Sequence, residues 1–145
     1  MDAALAMPGE ANCREMCERL SVAFANNIDR RDYPAVLDLF AEDAVLDRLG
    51  TIIRGKSALS AWLESRPDDI VTRHICTNID IVQNGPAAAE GRTYFTFYKA
   101  PATADIVAID GPETIGEDHD SFILTAQGWK ILKRKIIVIF QRRSF

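Results

Sequence analysis

The sequence predicts an α+β domain, because its two halves carry different kinds of pattern that do not interleave. Up to about residue 66 most apolar residues recur at three- and four-residue spacing, the mark of amphipathic helices. From residue 71 onward four runs are rich in β-branched and aromatic residues. "QNGPAAAEG" and "AQG" separate two pairs of them as hairpin connections would.

The elements follow in order. Residues 1–9 are small and end near Pro-Gly, which reads as a loose tail, with one domain expected over 10–145. Glu10 to about Asp29 forms a first helix, with Met16, Leu20, Ala23, Phe24 and Ile28 as its apolar stripe. "RRDYPAVLDLFAED" is a second helix, with Asp32 as N-cap, Pro34 in the first turn, and Val36, Leu37, Leu39 and Phe40 on its buried side. "AVLDRLGTIIRG" gives two short strands around Gly50, and "KSALSAWLESR" a third helix that Pro67 closes. Strands are expected at about 71–83, 90–99, 114–125 and 129–140.

Composition narrows the function classes. Apolar residues make up 48% and charged residues 26%, an ordinary globular balance. A net charge of −4 argues against nucleic acid as a partner, since phosphate binding needs a surplus of Lys and Arg. The cysteines Cys13, Cys17 and Cys76 are odd in number and lack zinc-type spacing, so neither a disulfide framework nor a metal site is expected. With no signal-peptide pattern and no long apolar run, the expected setting is the cytoplasm, away from membranes.

Strand alternation raises a question at "VTRHICTNID". His74, Cys76, Asn78 and Asp80 share one face, and Ile75, Thr77, Ile79 and Ile81 the other. A simple rule would bury the isoleucines and expose the histidine. In the last strand Leu132, Arg134, Ile136, Val138 and Phe140 share a face that is apolar except for Arg134, so this arginine needs an inner partner or must reach the edge of the sheet. Asp118, Asp120, Phe122 and Leu124 share a face with His119 opposite, and "EDHD" is unusually acidic.

Four segments, "FANNIDRRDYPAVLDLFAEDAVL", "RGKSALSAWLESR", "TRHICTNIDI" and "DHDSFILTAQGWKILKRKIIV", resemble the SnoaL-like group of the nuclear-transport-factor-2-like superfamily, whose fold is a cystatin-like α+β barrel. The resemblance implies a cone: a bent, mostly antiparallel sheet wrapped around the N-terminal helices, with a deep pocket. The His74 and Arg134 faces would then line it, with Phe24, Phe40, Trp62, Cys76, Asn78 and Val138 as pocket residues. In members resembling lindane dehydrochlorinase, scytalone dehydratase and the bile-acid 7α-dehydratase, a histidine on this strand is the base and an aspartate near the end of the first helix orients it. His74 and Asp29 match those positions, and Arg134 and Asp120 match a last-strand arginine and an acid/base position.

The pattern is broken at Phe24, where such dehydratases carry a tyrosine or lysine, so a proton donor has to come from elsewhere. Tyr94 and Tyr98 qualify if their shared face is concave. The resemblance implies cofactor-independent proton abstraction from a small hydrophobic or polyketide-like substrate, as an elimination lyase, isomerase or cyclase. Small β-subunits of aromatic-ring-hydroxylating dioxygenases and non-catalytic ligand-binding modules are the alternatives. The apolar isoleucine face implies a homo-oligomer, a dimer or trimer as in relatives.

Overall fold

The structure is a computed structural model that describes residues 8–143; residues 1–7 of the expected tail lie outside it, and Pro8 already begins the first helix. The elements are α1 (Pro8–Asp29), α2 (Tyr33–Asp38), β1 (Phe40–Arg48), β2 (Thr51–Arg54), α3 (Gly55–Glu64), β3 (Ile70–Gly85), β4 (Ala88–Pro101), β5 (Thr114–Thr125) and β6 (Gly128–Gln141). They make a six-stranded sheet in the order β2-β1-β6-β5-β4-β3, antiparallel except where β1 runs parallel to β6. The sheet curls around α1, with α2 and α3 closing its first edge.

Local chemistry accounts for the boundaries. Asp32 caps α2 by accepting the Ala35 N–H at 3.2 Å, and Pro34 occupies the first turn, where its missing N–H costs nothing. Phe40, expected at the end of the second helix, instead opens β1. The Ile131 N–H donates to the Leu39 carbonyl at 2.8 Å and draws the chain onto β6 at that point.

The buried stripe of α1 is Cys13, Cys17, Leu20, Phe24 and Ile28, with Leu46, Leu59, Leu63, Phe122 and Ile131 packed around it. Met16 lies outside that stripe and is exposed. Burial holds the thiol of Cys17 well above the ordinary cysteine range, with Cys13 adding to the effect.

Alternation along the strands is interrupted, and this corrects the expected faces. In β3 the pairing with β4 slips between Thr77 and Asp80, and Asn78 takes a φ of 50°. The extra residue is a bulge, which bends the strand and reverses the facing beyond it. Thus His74 and Cys76 face the interior, but so do Ile79 and Ile81, while Asn78 and Asp80 are exposed. A second slip places Leu132 outside the ladder, since Ser121 pairs with Lys133 and Phe122 with Ile131. Ile131 and Arg134 are therefore both buried, and Leu132 does not share the Arg134 face. A third skips Ile139 and leaves Phe140 exposed.

These bulges also shrink the apolar outer patch. Ile81 and Ile131 belong to the core, and Ile75, Tyr94 and Ile139 remain exposed on the convex side. No helix among the described residues is long and apolar enough to cross a membrane.

Candidate active site

The inside of the cone holds a cavity of about 260 Å³ between the end of α1, α3 and the concave faces of β3 to β6. Its walls are mainly apolar and aromatic: Phe24, Ile28, Trp62, Phe95, Phe97, Ile136 and Val138. Two titratable side chains stand among them, His74 and Asp118, and Arg48, Arg66, Lys99 and Glu113 surround the rest of the lining. A few polar groups in an apolar concavity is the usual make-up of a small-molecule site.

His74 and Asp29 meet because α1 ends against β3. Thr72 and His74 are two apart on the strand and present the same face. The Asp29 carboxylate accepts three hydrogen bonds from them: Thr72 Oγ1 at 2.9 Å, the His74 backbone N–H at 2.7 Å, and His74 Nδ1 at 2.7 Å. Burial alone would raise this carboxyl. The His74 and Thr72 hydrogen bonds and the facing imidazole outweigh burial and hold it below the ordinary range. An ionised Asp29 fixes the imidazole as the Nδ1–H tautomer, which leaves Nε2 as the basic nitrogen. The ring stacks on Phe97 with centroids 4.5 Å apart, so its plane is fixed as well.

Arg134 and Asp120 form a different unit. Both side chains are 1% exposed, and the guanidinium donates twice to the carboxylate, Nε to Oδ1 at 2.7 Å and NH2 to Oδ2 at 2.8 Å. The guanidinium lies 4.3 Å from the centre of the Phe24 ring, a cation–π contact in a desolvated setting. A lysine at position 24 would press a second cation onto Arg134, which gives a physical reason for the aromatic residue here. Neither Arg134 nor Asp120 is among the cavity-lining residues.

The remaining expected residues divide. Phe24, Trp62 and Val138 line the cavity with His74. Phe40 is 1% exposed in the core and packs edge-on against Phe24, 5.9 Å between centroids. Cys76 is half-buried and does not line the cavity, and burial, then the Asp118 charge, raise its thiol above the ordinary range, which is the wrong direction for a nucleophile. Asn78 is exposed on the bulge, outside the cavity. Tyr94 and Tyr98 alternate with the inward Phe95, Phe97 and Lys99, so they occupy the convex face and cannot donate a proton inside. Among the described residues no group of three or more His, Cys, Asp or Glu could hold a metal ion.

Asp118 was not singled out as a site residue. It is 8% exposed, lines the cavity, and has Arg134 NH1 at 3.5 Å. Burial raises its carboxyl above the ordinary range; Arg134 opposes this and the Asp120 charge adds to it. The signal in the sequence was the pair of acids two apart on a strand face that continues into Phe122.

This cone-shaped sheet with a polar pair inside an apolar cavity is the architecture of the cystatin-like, nuclear-transport-factor-2-like proteins. The chain belongs to the family of the SnoaL-like domain, whose profile matches residues 9–135. Among solved structures it is similar to a nuclear-transport-factor-2-like protein with a cystatin-like fold from Novosphingobium aromaticivorans, with a TM-score of 0.78, 18% identity, and 89% and 83% of the two chains covered. A scytalone dehydratase-like protein from Novosphingobium aromaticivorans DSM 12444 superposes with a TM-score of 0.77 at 20% identity, over 92% of this chain and 90% of that one. A ketosteroid isomerase-like protein from Erwinia carotovora atroseptica gives 0.67 at 20% identity, over 85% and 93%. Identities this low establish the fold. No curated protein matches the sequence.

Proposed function

We propose that this protein is a cofactor-independent lyase or isomerase of the elimination type, in which His74 takes a carbon-bound proton from a small, mostly apolar substrate. The observation that carries the reading is the 2.7 Å contact between Asp29 Oδ1 and His74 Nδ1 at the wall of a mainly apolar cavity. An imidazole held in one tautomer offers Nε2 as the base, and Asp29 faces the positive charge that the ring gains on protonation. The apolar part of the wall around His74 would leave a carbanion or enolate bound there fewer competing proton sources than in water. A scytalone dehydratase-like and a ketosteroid isomerase-like protein share the fold, and proton abstraction beside a carbonyl is chemistry that suits both names. Arg134 and Asp120 act one layer behind, holding the inner faces of β5 and β6 together.

The test is a panel of β-hydroxy ketones, halogenated cyclic compounds and polyketide intermediates, assayed with the wild type and His74→Ala. The reading requires turnover of at least one class that falls by about 100-fold or more in the variant. Undiminished activity in a folded His74→Ala protein would refute it.

A further inference from the structure

Three aspartates lie inside the cone, and their surroundings differ. Asp29 accepts three hydrogen bonds, and Asp120 accepts two from Arg134. Asp118 accepts none among the described residues. Its one cationic neighbour, Arg134 NH1 at 3.5 Å, belongs to a guanidinium that is already bound edge-on to Asp120. Its partner across the ladder to β4 is Thr93, whose Oγ1 is buried and makes no hydrogen bond to protein. A carboxylate needs donors when it leaves water, and this group has the fewest of the three, with a second, fully paired carboxylate two residues along its own strand.

We propose that Asp118 is the proton donor of this cavity, held as a neutral carboxylic acid, and that it commits the site to substrates whose leaving group is a hydroxyl. The proposal rests on His74 being the base, and it supplies the donor that Phe24 does not. Among the described residues two carboxylic acids line the cavity, Asp118 and Glu113, and Glu113 stands 3.9 Å from Lys99. The charged or titratable groups near Asp118 are Arg134 from β6, Asp120 on its own face of β5 and His119 on the other, and His74 and Cys76 from β3; burial prevails over the cations among them.

The step balances. His74 Nε2 takes the proton α to the substrate carbonyl, and the C–H electrons become the new C=C bond. The β C–O bond breaks with its electron pair on oxygen, and the Asp118 O–H proton joins that oxygen so that water leaves. The site then holds an imidazolium and an ionised Asp118, and passing the proton from the first to the second restores both. A halide, by contrast, departs as a stable anion and needs no donor. An acid facing the base therefore favours β-hydroxy carbonyl compounds over halogenated ones.

The experiment compares a cyclic β-hydroxy ketone, which loses water to give the enone, with its β-chloro counterpart, for the wild type, Asp118→Asn and His74→Ala. Expected for Asp118→Asn is a fall of about 100-fold or more in loss of water relative to loss of chloride, with circular dichroism and the thermal midpoint as the checks on fold. Equal effects on both compounds, or on neither, overturn the role of Asp118. Persistence of chloride loss in His74→Ala instead overturns the base reading and leaves the donor to be judged on its own. That judgement needs no turnover: infrared difference spectra of wild type against Asp118→Asn at neutral pH should show one protonated carboxyl in the wild type alone. Its absence overturns the proposal.

Discussion

Asp120→Asn is the substitution that most directly separates a structural carboxylate from a catalytic one. The Asp120–Arg134 pair is bidentate, at 2.7 and 2.8 Å, with both side chains 1% exposed. Removing one member of a buried pair leaves an uncompensated charge and costs about 3–5 kcal/mol. Here Asp118 stands 3.5 Å from the same guanidinium and can ionise once its anionic neighbour is gone, so the expected loss is at the low end, about 3 kcal/mol. In a chain of 145 residues that corresponds to a fall in Tm of roughly 6–12 °C. Urea unfolding followed by the fluorescence of Trp62 and Trp129 measures it, with an unchanged m-value as the sign that only stability moved. The double variant Asp120→Leu with Arg134→Met, which removes both charges, should recover most of the loss. A loss below about 1 kcal/mol for Asp120→Asn, or no recovery in the double variant, refutes the reasoning.

Other outcomes follow from the same geometry. Asp118 has a folded-state pKa raised above its unfolded value, so its contribution is full at pH below the unfolded carboxylate range and is lost as pH rises through the folded value. Asp118→Asn should therefore be more stable than the wild type at neutral and alkaline pH and gain nothing in acid, as thermal melts across pH would record. Asp29 has the opposite sign: its contribution is present above the unfolded carboxylate range and is lost as pH falls through its lowered folded value. Asp29→Ala should cost about 2–4 kcal/mol at pH 7, because it orphans three donors, and much less in strong acid. Gly116→Ala should destabilise by roughly 2 kcal/mol, since a Cβ there meets the Ile137 carbonyl and the Phe95 ring; Gly91→Ala, which meets the ends of Ile81 and Phe122, should cost less. Light scattering tests the proposed homo-oligomer, and a monomer at micromolar concentration would count against it.

Much of the architecture was legible because it is written in local chemistry. Asp32 and Pro34 mark the start of α2, and turn residues separate β3 from β4 and β5 from β6. The facing of side chains was harder to read. Alternation alone could not choose between the His74 and Ile75 faces, because that choice depends on what covers the sheet. Nor did it foresee that Ile79 and Ile81 would join the His74 side. The one local hint was Asn78, a residue type that tolerates positive φ. Leu132, an ordinary strand residue, gave no hint that it would fall outside the ladder. The acid pair in "EDHD" was visible, but its division into a paired Asp120 and a donor-poor Asp118 depends on where the Arg134 fork points, which no sequence pattern encodes.

The bulge at Asn78 works like a frameshift written into the strand. Before it, even-numbered residues face the cavity and carry polar groups; after it, odd-numbered residues face the core and carry isoleucines. The two halves can thus vary separately, one under the demands of chemistry and the other under those of packing. What the extra residue supplies is the bend of the strand. Exchanging Asn78 for glycine keeps the bulge, whereas deleting it would let Ile79 pair with Thr93 in a regular ladder, with Ile79 and Ile81 still turned to the core and Asp80 still outside, so that the loss falls on the bend and not on which residues are buried.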